Sequence, residues 1–586
     1  MSSRSAIQDV FGDPLAELIW TANTLVVYPV TLQNFTVGSV LPAVFYMFRR
    51  GHRRGKGRFQ EEFSPGQKMR PNIFCVAGRL SQATKWFEGF DTELSKNILG
   101  DLLLCDALEN KAHAEGHQAE VLRAYPVHYF ASWLDLPSQV GNLRLVPEML
   151  VALLAGQACG LSLSSSAGGD FSVACSPETN LFFQVFARGV EFGNNVAHLD
   201  CDSPSEDESY SVEELLTVRL AQTCGQAPER LRAIRRGSAD IPNLTPLAAR
   251  SATIFRDDLA TFLRHFGEAI SRRAITPMVE ALIGLGLFHT LLASLRAVVA
   301  WERTGSVPLP ADQQPFALLI DASSGIDASL RNLSEQSLQE MVRFVDEATT
   351  ALAAVRILDA KGRFDRVLGQ AKPTGPDSAT WLNYLGAVRF GRHERSEAIL
   401  NDLFEKLHAL ADRLRQEGLE SNALGILQST DAPKDVVRVL AEAVCEMMGE
   451  SLLRQHYLSF LDHAMMVNDV HGLGRKRRIS RALGGKRKMM DARSLVLSDT
   501  LLDALVHLHL AYRRQLPFQD FLSLLRERYG LYVDEAPVGV FVAREDLHRN
   551  RVILERRLRD LGLLIGVNDA ESMKYLRGRY RAVETS

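Results

Sequence analysis

The side chains whose types and spacing could do chemistry fall into five groups, and none completes a reaction centre. His113 and His117 bracket His113-Ala114-Glu115-Gly116-His117, a four-residue spacing that would put two imidazoles on one helical face for a zinc ion. The order is not H-E-x-x-H, and Glu109, Lys111 and Glu120 around it describe a solvated helix. His456, Asp462 and His463 could meet on a helix, but no third ligand is fixed by spacing. His507 and His509 stand two apart and so face different directions. Asp321-Ala322-Ser323-Ser324-Gly325-Ile326-Asp327 partly matches the D-x-S-x-S metal-adhesion pattern, with Gly325 where the second serine is needed. It reads as a strand-to-helix turn rich in capping residues. A nuclease would draw on Glu191, Asp200 and Asp202, yet no lysine follows at a suitable spacing beyond a strand.

The chain contains no G-x-x-x-x-G-K-[ST], no G-x-G-x-x-G after a strand and no G-x-S-x-G elbow. Nucleotide hydrolysis, dinucleotide chemistry and α/β-hydrolase activity therefore lack support. The seven cysteines (Cys75, Cys105, Cys159, Cys175, Cys201, Cys224 and Cys445) are odd in number and widely spaced, with no C-x-x-C. They describe structural thiols in a reducing, cytoplasmic setting. No catalytic residue, metal or cofactor is expected, and an enzyme is the lesser reading.

Basic residues are the more informative group. Between His471 and Arg493 stand Arg475, Lys476, Arg477, Arg478, Arg481, Lys486, Arg487, Lys488 and Arg493 against one acid, Asp491. Gly472, Gly474, Gly484 and Gly485 make this a flexible tether, and without an aromatic its chemistry is phosphate neutralisation rather than base stacking. A second basic run, Arg49 to Arg58, includes Arg53, Arg54 and Lys56.

The elements that must position these charges are clearest at the C-terminus. Ser498 or Asp499 caps a helix to about Arg514, and Pro517 opens a second with Phe518, Phe521, Leu522 and Leu525 on one face. A third spans roughly Arg544 to Leu561, followed by a strand at Leu563–Val567 and a return strand within Met573–Tyr580. Three helices and a small β-wing make a winged-helix plan. On the third helix Leu547, Leu554, Leu558 and Leu561 form the apolar face, with Arg549, Arg556 and Arg559 outward for a phosphate backbone. Glu545, Asp546, Glu555 and Asp560 on the same helix fit a solvated face or a protein-docking module instead.

Upstream, Ser396–Glu417 carries Ile399, Leu400, Leu403, Leu407, Leu410 and Leu414 at helical spacing. Arg256–Arg273, Pro277–Trp301 and Ser334–Asp359 also read as helices, and Phe316–Ile320 as a strand. In the N-terminal third, Asn72–Val76 and Leu181–Phe186 read as strands, Leu94–Leu108 and Pro147–Leu154 as helices, and Gly160–Asp170 as a loop. Asp200–Glu214 is an acidic loop entering a helix. Leu18 to Phe48 is uncharged and meets arginines, as a spanning helix would. Pro29 and Pro42 cut it into pieces of 11, 12 and 6 residues, too short to span, and Asp9, Asp13 and Glu17 interrupt any secretory signal. No membrane association is favoured.

The expected fold is mainly α with an α+β N-terminal region, multidomain, with a C-terminal winged-helix-like domain. The boundaries are 1–205 (α+β), 206–370 (mostly helical), 371–470 (helical), 471–494 (basic linker) and 495–586 (winged-helix-like). The 586 residues carry 67 Lys plus Arg against 70 Asp plus Glu, so a net charge of −3 conceals segregated basic and acidic stretches.

Two stretches carry a resemblance. One is Leu554-Glu555-Arg556-Arg557-Leu558-Arg559-Asp560-Leu561-Gly562-Leu563-Leu564 through Asn568-Asp569-Ala570-Glu571. The other is Leu41-Pro42-Ala43-Val44-Phe45-Tyr46-Met47-Phe48 with Gly51–Phe59. Both resemble a large accessory protein of bacterial methylation-associated phage-defence systems. The resemblance implies a cytoplasmic protein acting beside a methyltransferase and helicase- or nuclease-like subunits, and transfers no catalytic residue. The expected function is a non-catalytic, DNA-associated component of such a complex, binding duplex DNA through the basic linker and winged helix. A scaffold docking acidic partner subunits, or a divergent nuclease, is the alternative.

Overall fold

A computed structural model describes the chain except residues 1–2, 33, 52–53, 56, 68–69, 84–85, 111–118, 135, 137–144, 156–160, 166–170, 176–178, 188–209, 230–244, 372–377, 417, 419–421, 431, 484–485, 567–573 and 584–586. It is mainly α-helical with few, short strands. At its centre the helix Arg272–Thr304 is apolar on every side and buried along almost its whole length, as an all-round hydrophobic helix must be. It is the one helix among the described residues long and apolar enough to cross a membrane, and 94% of its most apolar window lies inside the protein. Beside it runs the 37-residue helix Ala328–Phe364. Asp327 caps that helix, its Oδ1 accepting from the amides of Ser329 (2.9 Å) and Leu330 (3.1 Å). Ser396–Gln416 forms as its periodicity requires, with Ile399, Leu403, Leu407, Leu410 and Leu414 buried.

Two hydrophobic cores result. The larger is continuous from Ala6 to Leu576. The smaller gathers residues of 59–136 with Leu216, Leu220 and Cys224. The uncharged stretch 18–48 contributes to the larger core: its helix Val40–Arg50 is 11 residues long and stacks Phe45 and Phe48 on Phe182, Phe183 and Phe186.

Several expected elements change type. Asn72–Val76 and Leu181–Phe186 are not strands. They lie in the helices Ile73–Leu80 and Leu181–Phe186, because an asparagine caps each start. Asn72 accepts from the Cys75 amide at 2.8 Å, and Asn180 from the amides of Phe182 (3.0 Å) and Phe183 (3.1 Å). A five-residue apolar run has no period of its own, so the cap decides. The stretch read as a loop, 160–170, instead supplies one strand of an antiparallel pair, Leu161–Ser165 with Phe171–Cys175. The acidic stretch does enter a helix, Val212–Cys224, through a capping box between Ser211 and Glu214.

The largest correction concerns 471–494, which is no flexible tether. Gly474–Leu483 and Lys486–Leu495 pair antiparallel over ten rungs. Its first glycine serves close packing rather than flexibility: a Cβ at Gly472 would lie 2.2 Å from the Met466 carbonyl oxygen.

Past the hairpin come the helices Asp499–Leu510, Phe518–Tyr529 and Arg544–Asp560. Three two-residue strands form one antiparallel sheet, with Tyr575–Leu576 between Leu564–Ile565 and Leu516–Pro517. A further strand, Leu531–Tyr532, pairs in parallel with Leu318–Leu319 and joins this module to the middle of the chain.

Candidate nucleic-acid interface

At the base of the hairpin the basic side chains are consumed internally. Asp462, 6% exposed, takes Arg493 in a two-point contact (Nη2 to Oδ2 2.8 Å) and the Lys476 ammonium at 3.0 Å. Lys476 also reaches Asp491 at 3.0 Å, and its hydrogen bond holds that carboxyl below the usual carboxylate range. Arg477 forks onto Glu335 of the long helix, and Arg475 donates to the Asp469 carbonyl at 2.8 Å. Arg478 differs. Its side chain is 79% exposed and, among the described residues, meets the edge of Asp491 at 3.9 Å. Beyond it the rungs set Arg481 opposite Lys488, Ala482 opposite Arg487 and Leu483 opposite Lys486. The side chains of Arg481, Lys486, Arg487 and Lys488 lie outside the described residues.

On Arg544–Asp560, Leu554 and Leu558 are buried and Arg549, Arg556 and Arg559 turn outward, the last two against Asp560 (3.9 Å) and Glu555 (3.8 Å). Arg549 pairs with Asp327 at 3.1 Å and with Asp546. Arg54 is buried, its Nη1 donating to the Ser132 carbonyl at 2.7 Å, while Arg53 and Lys56 lie outside the described residues. The rungs of the hairpin thus set its basic positions opposite one another, and Arg54 lies away from the surface.

Two residues that sequence reasoning missed position this region. Asn550 donates through Nδ2 to the carbonyls of Ile320 (2.8 Å) and Val533 (2.9 Å) and accepts from the Ala322 amide at 2.9 Å. Arg557 donates to the carbonyls of Ala322 (3.1 Å), Val496 (3.2 Å) and Leu497 (2.7 Å) and to Asp499 (2.5 Å). Together they fasten the C-terminal helix to the hairpin's return strand and to the Asp321 turn. An asparagine in the apolar stripe of that helix was the available signal.

The other chemical groupings resolve as structure. Asp321 is fully buried and folds its turn shut, Oδ1 accepting from the Ser323 amide (2.8 Å) and hydroxyl (2.5 Å), Oδ2 from the Gly325 amide (2.8 Å). Burial raises its pKa despite these bonds. His463 lies against Phe35, and its neighbour Asp462 serves the hairpin. His507 is held between the Asp503 carbonyl (2.9 Å) and the Tyr580 amide (3.2 Å), and His509 approaches the Tyr529 hydroxyl at 3.5 Å. Among the described residues no three His, Cys, Asp or Glu side chains cluster as metal ligands. His113, His117, Glu191, Asp200 and Asp202 lie outside them.

The family model for methylation-associated defense system protein MAD7 matches residues 171–580, a span holding the whole hairpin and nearly all of the C-terminal module. The chain belongs to the MAD7 family. No curated protein matches it. Membership makes it a component of a methylation-associated defence system, as the resemblance at the two ends of the chain implied, and makes other proteins of that system its partners. In this MAD7 family member the matched span also includes Arg356, the central helix and the small sheet.

Proposed function

We propose that the protein is a non-catalytic, cytoplasmic, DNA-associated subunit of its defence complex, acting beside a methyltransferase or helicase-like partner. The tip of the basic hairpin neutralises duplex phosphates, and a winged-helix-like module docks next to it. One observation carries this reading: the base of the hairpin is paired with Asp462 and Glu335, whereas Arg478 points to solvent and the next rungs add four further basic residues. Rigid strands hold these charges at fixed spacing, which favours a regular array of phosphates. The order of the three-stranded sheet and the outward Arg556 and Arg559 support the module's part.

The experiment is DNA affinity against salt. Each phosphate contact contributes about 0.9 to the log–log slope, so replacing Arg478, Arg481, Lys486, Arg487 and Lys488 with Ala should flatten it by about 4.5. An unchanged slope removes the DNA assignment.

A second reading has its own observation. The turn Pro537–Phe541 leaves Val538 and Phe541 completely exposed, which suits a module that docks partner subunits. Co-purification surviving nuclease treatment and lost in Phe541→Ser would favour this scaffold reading.

A further inference from the structure

Among the described residues, arginines with little exposed side chain meet a carboxylate or, as Arg54 does, backbone carbonyls. Arg123 meets Glu280, Arg272 meets Glu214 at 3.7 Å, Arg389 meets Glu302, and Arg493 meets Asp462. Arg356, in the middle of the long helix, does not. It is 5% exposed, and among the described residues its Nε and Nη2 have no hydrogen-bond partner. Its one hydrogen bond runs from Nη1 to the Thr24 hydroxyl at 3.2 Å. The ionisable groups acting on its charge are Tyr457 and Cys445. Burial pushes Tyr457 up to about 12 and Cys445 up to about 11, so both are neutral near pH 7. A guanidinium with five donors and no anion is an unstable thing to bury.

The surroundings are made for hydrogen bonding. Thr24 belongs to residues 20–36, which meet the long helix at Arg356 and form no helix or strand at any described position. The Tyr457 hydroxyl donates to the Ala22 carbonyl at 2.9 Å, and Cys445 Sγ contacts the Thr349 carbonyl at 3.6 Å. Trp20 and Ala22, at the start of this strap, are only partly buried, whereas Thr24, Arg356 and Tyr457 are buried.

We propose that Arg356 anchors a binding site for a small phosphate-class oxyanion, held between its guanidinium and the Thr24 hydroxyl. The planar fork suits two oxygens of a tetrahedral anion, and the Thr24 hydroxyl, which accepts from Arg356, turns its own proton to a third. Such an anion neutralises the buried charge and draws the strap against the long helix. Occupancy would couple the N-terminal segment to the helix that also carries Glu335, the hairpin's anchor.

The test uses the full chain and inorganic phosphate against chloride at equal ionic strength. A hundredfold excess of phosphate over its Kd should raise the melting temperature by about 2 °C for a chain of this size. Arg356→Met should abolish that rise and melt in chloride no lower than the parent protein. No phosphate effect on the parent, or an equal rise in both proteins, overturns the proposal. If Arg356→Met fails to fold, Thr24→Val is titrated calorimetrically with phosphate. A Kd weakened about tenfold supports the site, and an unchanged Kd overturns it.

Discussion

Arg477 and Glu335 stand 142 residues apart in the chain, yet the guanidinium donates to both carboxylate oxygens, at 2.6 and 2.9 Å. Glu335 is 8% exposed, so the pair fixes the outgoing strand of the hairpin to the long helix through a carboxylate that cannot be left unpaired at no cost.

Arg477→Ala should therefore act on stability and not on charge. Since the arginine is nearly half exposed, solvent reaches the orphaned carboxylate, and the loss should be about 1–2 kcal/mol in urea unfolding. Amide exchange in the hairpin should accelerate. The salt dependence of DNA affinity should stay as in the parent, because this charge is already neutralised in the fold.

Asn550 joins three backbone groups from Ile320, Ala322 and Val533. Asn550→Leu matches its volume but orphans two carbonyls and one amide in a buried site. A destabilisation of about 3–5 kcal/mol is expected, measured as a lower urea midpoint with unchanged slope. Exchange should be fastest where Leu318–Leu319 pairs with Leu531–Tyr532.

Asp106 is fully buried, with the Thr217 hydroxyl donating to its Oδ1 at 2.5 Å and no partner at Oδ2 among the described residues. Burial pushes its pKa from 3.8 up to about 7. Between these values the folded protein keeps a proton that the unfolded chain has released, so stability falls as pH rises from about 4 to 7. The loss is at most about 4 kcal/mol. Asp106→Asn should remove this slope and melt above the parent at pH 8, while differing little at pH 4.

His289 shows the opposite sign. It is buried, its Nε2 has no partner among the described residues, and burial lowers its pKa from 6.5 to about 4. The unfolded chain takes up a proton first, so stability is lost as pH falls through that window, by up to about 3 kcal/mol. His289→Phe should weaken this acid limb in melts between pH 7 and 4, without loss at pH 7.

Local patterns carried much of the architecture. The helix Ser396–Gln416 was legible because six apolar residues recur at helical spacing along it. The C-terminal helix was legible for the same reason, although the positioning role of its buried Asn550 was not. The Asp321 turn could be dismissed as a metal site on one residue, Gly325, and its carboxylate does close on its own turn.

By itself the sequence determined that the protein is mainly helical, that Pro277–Trp301 is an apolar helix, that its basic residues are segregated, and to which family it is similar. Each of these follows from composition or from periodicity over one or two turns. Tertiary structure decided that Ile73–Val76 and Leu181–Phe186 are helical, that the glycine-flanked basic segment is a paired hairpin, and which of the charges at its base pair with Asp462 and Glu335. Asp462 and Glu335 choose among those arginines and lysines across tens to hundreds of residues, and Coulomb attraction depends on distance through space, which spacing along the chain does not encode.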